Sequence, residues 1–177
     1  MPDVILVNEF DEEQGTMEKI LAHEEGLLHR AFSVFIFDSE GKMLLQQRSR
    51  GKYHNGGKWS NTCCSHPLPG EDTLKAAERR LFEEMGFTVK LEKAFDFVYE
   101  VKFSNGLSEH EFDHVYIGEY SGDVNFDLEE VEAYSYKDLL EIKSLLKSEP
   151  ENFTEWFRIA VPKVELYRTL SMKQPVN

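Results

Sequence analysis

The chain has 177 residues, 41% of them hydrophobic and 12% aromatic, enough for one domain spanning 1–177 with its core at about 4–170. A formal net charge of −13 disfavours nucleic acid or an anionic membrane as the main partner, because phosphate backbones and acidic lipids repel an acidic surface. The only cysteines, Cys63 and Cys64, are adjacent, a placement that very rarely closes a disulfide because the geometry is strained, and the sequence reads as having neither a cationic leader nor a long apolar run. The expectation is a cytoplasmic protein in a reducing compartment, with no membrane span.

In chain order, Val4 to Val7 reads as a short strand, followed by an acidic turn through Asp11, Glu12, Glu13 and Gly15. Thr16 to Leu28 is ambiguous, and His23 and His29, six apart, share a face of neither a helix nor a strand. Arg30 to Phe37 is apolar on both faces and predicts a buried strand, turning at 38–41 into Met43 to Arg48. A basic, glycine-containing loop runs from Ser49 to Lys58. Thr88 to Phe103 reads as strand, with Asn105-Gly106 turning it into a second arm, Leu107 to Tyr120. Two helices, Tyr136 to Lys147 and Phe153 to Leu170, close the chain, the second bent or interrupted at Pro162, and the tail MKQPVN is expected to be disordered. Strands on both sides of one central helix, then two terminal helices, indicate an α/β (α+β) domain with a mixed sheet between helices.

Chemistry concentrates between Trp59 and Phe87. Leu74, Ala77, Leu81 and Met85 recur at helical spacing, with Asp72 or Thr73 to cap the helix and Gly86 to stop it. Glu83 and Glu84 then sit in the last turn, against the helix dipole, where a nearby cation or an ion pair from Arg79 would compensate. On the second hairpin arm, Glu109, Glu111 and Asp113 share one strand face, with His110 and His114 on the other. Carboxylates in register repel unless a metal or shared proton relieves them, which favours Glu109 and Glu111 as ligands or acid over the two histidines. If Trp59 to Pro67 is extended, Cys64 and His66 face one side and Cys63 the other.

With Gly86 aligned to its final glycine, this segment resembles the Nudix box (G, five residues, E, seven residues, REUxEExGU, with U apolar). Glu71, Arg79, Leu81, Glu83, Glu84 and Phe87 fall on the pattern, whereas Ser65 replaces its first glycine and Arg80 a glutamate. In Nudix hydrolases that glutamate helps hold the magnesium that activates water, so a cation there points away from simple diphosphate hydrolysis. From about Val4 to Leu170 the chain resembles the type 1 isopentenyl diphosphate isomerases. Their N-x-x-C-x-H-P motif after a tryptophan appears as Trp59-Ser60-Asn61-Thr62-Cys63-Cys64-Ser65-His66-Pro67, and their E-x-E motif as Glu109 and Glu111.

The resemblance implies a Nudix fold and interconversion of isopentenyl and dimethylallyl diphosphates. It implies a zinc, manganese or iron ion on His23, His29, His66, Glu109 and Glu111, although the connection between the first two histidines is one residue shorter than in the best-known bacterial enzyme. A magnesium bound with the substrate diphosphate is implied at Glu84 and the Cys64 carbonyl. By the same resemblance Glu111 is the expected acid with Tyr99 beside it, and Cys64 the expected base, as a thiolate whose pKa nearby cations would lower. The resemblance implies that Lys19, Arg48, Lys52 and Arg80 surround the diphosphate, and the expectation is that Trp156 faces the carbocation and that Ser49 to Lys58 forms part of a lid. The expected partner is the small diphosphate alone, on a monomer or homodimer. A Nudix hydrolase acting on a nucleotide or other diphosphate is the nearer alternative, and a catalytically idle binding module the more distant one.

Overall fold

The structure is a computed structural model that describes residues 2–52 and 55–171, so the tail expected to be disordered lies outside the described residues. Among the described residues nine strands form one mixed sheet. Strand β1 (Asp3–Val7) pairs antiparallel with β2 (Glu13–Glu18), so the acidic turn ends at Glu12 and Gly15 belongs to a strand. The ambiguous stretch resolves into the end of β2 and a short helix, α1 (Lys19–Glu25), capped by the Glu18 side chain and stopped by Gly26 in the left-handed conformation at φ 65°.

Strand β3 (His29–Phe37) is the centre of the molecule. It runs parallel to β8 (Ser108–Glu119) along its whole length, and on its other edge meets β1, then β6 (Cys63–Ser65), then β4 (Met43–Arg48), all antiparallel. Strand β5 (Trp59–Ser60) pairs with the end of β4. Strand β7 (Glu92–Lys102) and β8 form the predicted hairpin around Gly106, although the residues from Thr88 to Leu91 stay outside the strand.

Alternation along β3 divides its side chains between two cores. Phe32, Val34 and Ile36 bury against Ala76, Ala77, Leu81 and Met85 of helix α2 (Thr73–Met85). Phe35 and Phe37 point the other way, into Ile142 of α3 (Leu139–Ser148) and Phe157, Ala160 and Val164 of α4 (Glu155–Ser171). Burying one such phenylalanine is worth about 1.5–3 kcal/mol. The sheet is thus held between helices, and α2 caps as expected, with Asp72 accepting from Lys75 N and Gly86 left-handed at φ 76°.

One expectation for the carboxy-terminal half is corrected, and for the last helix the interruption at Pro162 is removed as an alternative to a bend. Tyr136 and Lys137 lie in a strand, β9 (Val131–Lys137), and the helix starts at Leu139 behind an Asp138 cap. The register of β9 on β4, from Met43↔Lys137 to Gln46↔Tyr134, supplies partners that local helical spacing did not reveal. Helix α4 runs without a break through Pro162. Pro162 and Arg158, whose carbonyl the missing N–H would have bonded, are both on the exposed side, so water can take up that carbonyl.

Candidate active site

The site lies where β6, β3 and β8 run side by side. Register places Ser33 opposite Cys64, and His29 beside Glu111, so three neighbouring strands supply the site without any long loop. His23 arrives from the last turn of α1, and the Gly26 turn folds it back until its ring centroid lies 4.7 Å from that of His29. Two histidines that share no face within one element come together because one is helical and the other stands at a strand start.

His23, His29, His66 and Glu111 offer four ligand atoms within 4.8 Å of one another. His23 Nδ1 lies 2.6 Å from the Lys19 carbonyl and His29 Nδ1 2.8 Å from the Leu27 carbonyl, so each donates from Nδ1 and turns its Nε2 toward the cluster. His29 Nε2 and His66 Nε2 face each other at 3.2 Å, and His66 Nε2 lies 2.8 Å from Glu111 Oε1. Burial, then the Lys19 ammonium, push the His66 pKa down to about 3, which keeps that ring neutral. Burial opposes the charged form of Glu111, yet its contacts with His29 and His66 hold its pKa well below the carboxylate range. Three imidazoles and an ionised carboxylate converging on one point fit a divalent metal of borderline softness. Glu109, the fifth expected ligand, is 2% exposed and stands beside this group, its Oε2 3.6 Å from His23 Nε2. Burial disfavours the imidazolium of His23, but Glu109 outweighs it and the His23 pKa is raised.

A small inner pocket of about 40 Å³ opens beside this group, lined by Cys64, His66, Tyr99, Glu111 and Trp156. That volume is room for only a few heavy atoms. Tyr99 stands directly across from Glu111 in the β7–β8 register and donates to Glu111 Oε2 at 2.6 Å. The two cysteines separate as strand parity requires: Cys63 is fully buried in the core against α2, while Cys64 packs on the opposite side and reaches the pocket. Arg48 Nη1 lies 3.8 Å from Cys64 Sγ, and its guanidinium 5.2 Å from the Trp156 ring centroid. The expected lowering of the Cys64 pKa is corrected. Burial outweighs Arg48, with Glu84 adding to it, and the thiol is pushed up to about 12.

The inner pocket continues into an outer one of about 400 Å³, lined by Lys19, Arg48, Lys52, Arg80, Glu84 and Glu130. All four cations expected around a diphosphate are therefore brought together. Arg80 Nη2 meets Glu84 Oε1 at 2.6 Å, and Gln46 Nε2 holds Glu84 Oε2 at 3.0 Å. The carboxylates in the last turn of α2 are thus compensated by arginines, Arg79 and Arg80 both reaching Glu83. His110 and His114 lie away from the cluster: His110 faces the Gly26 carbonyl, and His114 sits between Asp11 and Asp96.

Sequence reasoning did not single out Gln46, Glu130 or the buried pair in which Ser33 donates to Asp113 at 2.7 Å. Polar residues ending an otherwise apolar strand were the available signal for Gln46. Glu130 is one of several acids in a row and carried none.

The model of the NUDIX domain family matches residues 27–157. A protein of Aromatoleum aromaticum named isopentenyl-diphosphate Delta-isomerase 2 is 47% identical over 168 residues, covering 95% of this chain and 89% of that protein. A Pectobacterium atrosepticum protein named isopentenyl-diphosphate Delta-isomerase is 47% identical over 167 residues, covering 94% and 93%. Among solved structures, one from Deinococcus radiodurans superposes with a TM-score of 0.76 at 17% identity, covering 91% of this chain and 98% of its own. A MutT protein from Methanosarcina mazei gives 0.65 at 22%, covering 82% and 96%. At such identities the two structures speak for the fold alone.

Proposed function

The chain belongs to the Nudix family and, within it, to the type 1 isopentenyl-diphosphate Delta-isomerases, and from that premise we propose that it interconverts isopentenyl and dimethylallyl diphosphates by paired proton transfers. The observation that carries this reading is one small pocket with a thiol and a tyrosine–carboxylate pair in its wall, opening onto a cluster of cations.

In the forward direction an acid adds a proton to the terminal methylene carbon, positive charge develops on the neighbouring tertiary carbon, and a base removes a proton from the carbon beyond it. An alkene is a very poor base, so the acid must be held in place and kept dry. Glu111, with Tyr99 bonded to it, is assigned as the acid and Cys64 as the base. Trp156 would meet the cation with its ring face. With Glu111 ionised and Cys64 a thiol, the protonation state the buried site favours is the one for the return direction, in which the thiol gives and the carboxylate takes. The forward direction uses the other placement of the same single proton, so one pocket serves both.

His23, His29, His66 and Glu111, with Glu109 beside them, would hold a zinc, manganese or iron ion, and a bound divalent ion strengthens the acid by withdrawing charge from its carboxyl group. Magnesium would accompany the diphosphate near Glu84 and the Cys64 carbonyl. Lys19, Arg48, Lys52 and Arg80 would bind the phosphate oxygens. We further assign the chain one domain over 1–177, action in the cytoplasm as a monomer or homodimer, and no nucleic-acid or membrane partner. No helix of the described residues is long and apolar enough to cross a membrane.

Hydrolysis is disfavoured by Arg80, which neutralises Glu83 and Glu84 where the Nudix pattern has another metal-binding glutamate. The test is incubation with isopentenyl diphosphate and magnesium, assaying dimethylallyl diphosphate and released phosphate separately. Isomer without phosphate release is expected, and phosphate or pyrophosphate release without isomer would overturn the proposal.

A further inference from the structure

The outer pocket carries negative charge in the place where an anionic substrate would bind. Glu130 sends its two carboxylate oxygens to two different cations, Oε2 to Lys52 Nζ and Oε1 to Arg80 Nη2, the latter at 3.2 Å. Lys52 belongs to the loop after β4 and Arg80 to α2, so one carboxylate bridges two elements that line the pocket with it. The pairs are only partly shielded, with side-chain exposures of 23% for Lys52, 20% for Arg80 and 24% for Glu130.

Anchoring the loop does not require this side chain. Ser49 N donates to the Glu130 main-chain carbonyl at 3.0 Å, and Lys52 N to Ser49 O at 3.2 Å. Nor does Arg80 need it for neutralisation, since Glu84 and Glu83 already meet the guanidinium at 2.6 and 2.7 Å. What the side chain does supply is an anion spanning the two cations.

We propose that Glu130 is the resident counter-anion of the diphosphate subsite, which an incoming diphosphate displaces from Lys52 and Arg80, and that it thereby sets the affinity for substrate. The inference rests on the outer pocket binding a diphosphate. A diphosphate has the charge and the oxygens to satisfy both cations at once, so it can replace a single carboxylate shared between them. Until it arrives, two neighbouring cations are kept from repelling each other across an open pocket.

The test compares the parent with Glu130→Gln, a near-isosteric change. Inorganic pyrophosphate is titrated calorimetrically into the whole protein with and without magnesium, and KM for isopentenyl diphosphate is measured beside it. Pyrophosphate is expected to bind Glu130→Gln about two- to thirty-fold more tightly, the range that loss of two partly exposed ion pairs allows, with KM falling in step. A damaged loop would weaken binding, so a gain is not imitated by misfolding. Unchanged or weaker pyrophosphate binding to the variant would overturn the inference, and weakening only with magnesium would make Glu130 a metal ligand instead. A parent that neither binds pyrophosphate nor forms isomer would overturn the isomerase reading and this inference together, whereas an active parent whose variant gains nothing sinks this inference alone.

Discussion

Tyr99 and Glu111 are direct cross-strand neighbours, and the phenol donates to Glu111 Oε2 at 2.6 Å while His66 holds Oε1 at 2.8 Å. Each oxygen of the assigned acid is therefore held by its own partner. Tyr99→Phe keeps the ring that stacks on Phe97 with centroids 5.6 Å apart, and removes only the hydroxyl. Turnover should fall about a hundred-fold or more, as expected when a proton-transfer group loses its partner, with little change in the thermal midpoint. Undiminished turnover would remove Tyr99 from the proton path.

The opposed cysteines yield a paired prediction. Cys64→Ala should lower turnover by about three powers of ten or more and abolish deuterium exchange at the allylic carbon in heavy water. Cys63→Ala should stay within roughly tenfold of the parent in turnover and cost about 1 kcal/mol of stability from lost core volume. Equal kinetic damage from the two would reverse the assignment of the base.

Metal analysis separates the two proposed ion positions. His66→Ala should come through purification with its tightly held metal lost, because one of four converging ligands is gone. Glu84→Gln should retain that metal and mainly raise KM at limiting magnesium. Full metal content in His66→Ala would refute the histidine cluster as the ion site.

The Nudix-box pair Glu71 and Arg79 sets a pH-dependent part of stability. Arg79 grips Glu71 through Nε and Nη2 at 2.7 and 2.8 Å and, as the largest cause, holds its pKa below the usual value. A carboxylate with a lowered folded pKa contributes stability above its unfolded pKa and loses it as pH falls through the folded one. Glu71→Gln should therefore destabilise by about 1 kcal/mol at pH 7, and the difference from the parent should shrink as the pH drops below about 4. A difference that persists undiminished well into acid would show that charge is not what this contact supplies.

What was legible in the sequence follows from how local each signal is. Helix α2 carries its own cap, stripe and stop, and β3 its apolar run, so both could be read within a dozen residues. The Cys64 and His66 parity was equally local. Strand β9 was not legible, because its strand character comes from pairing with β4 some ninety residues earlier. The meeting of His23 and His29 depends on a single left-handed residue, Gly26, between a helix and a strand. Glu130 is invisible without knowing that α2 and the loop after β4 meet in space. The high Cys64 pKa also escaped, since depth of burial, which outweighs the nearby Arg48, is a property of the folded chain.

Gly86 does more than end α2. A methyl group there would lie 2.1 Å from the Asn125 carbonyl oxygen, so the segment leading to Glu130 can lie flat across the helix end only because that position is bare. The same segment is tied to the helix by Asp127 N donating to the Glu84 carbonyl at 2.9 Å. Helix end and crossing segment therefore behave as one machined joint with no clearance to spare. A substitution at Gly86, which touches no substrate, would shift Glu84 and Glu130 together. It would register in the docking of the diphosphate as well as in the proton affinity of Cys64, which burial raises and Glu84 raises further.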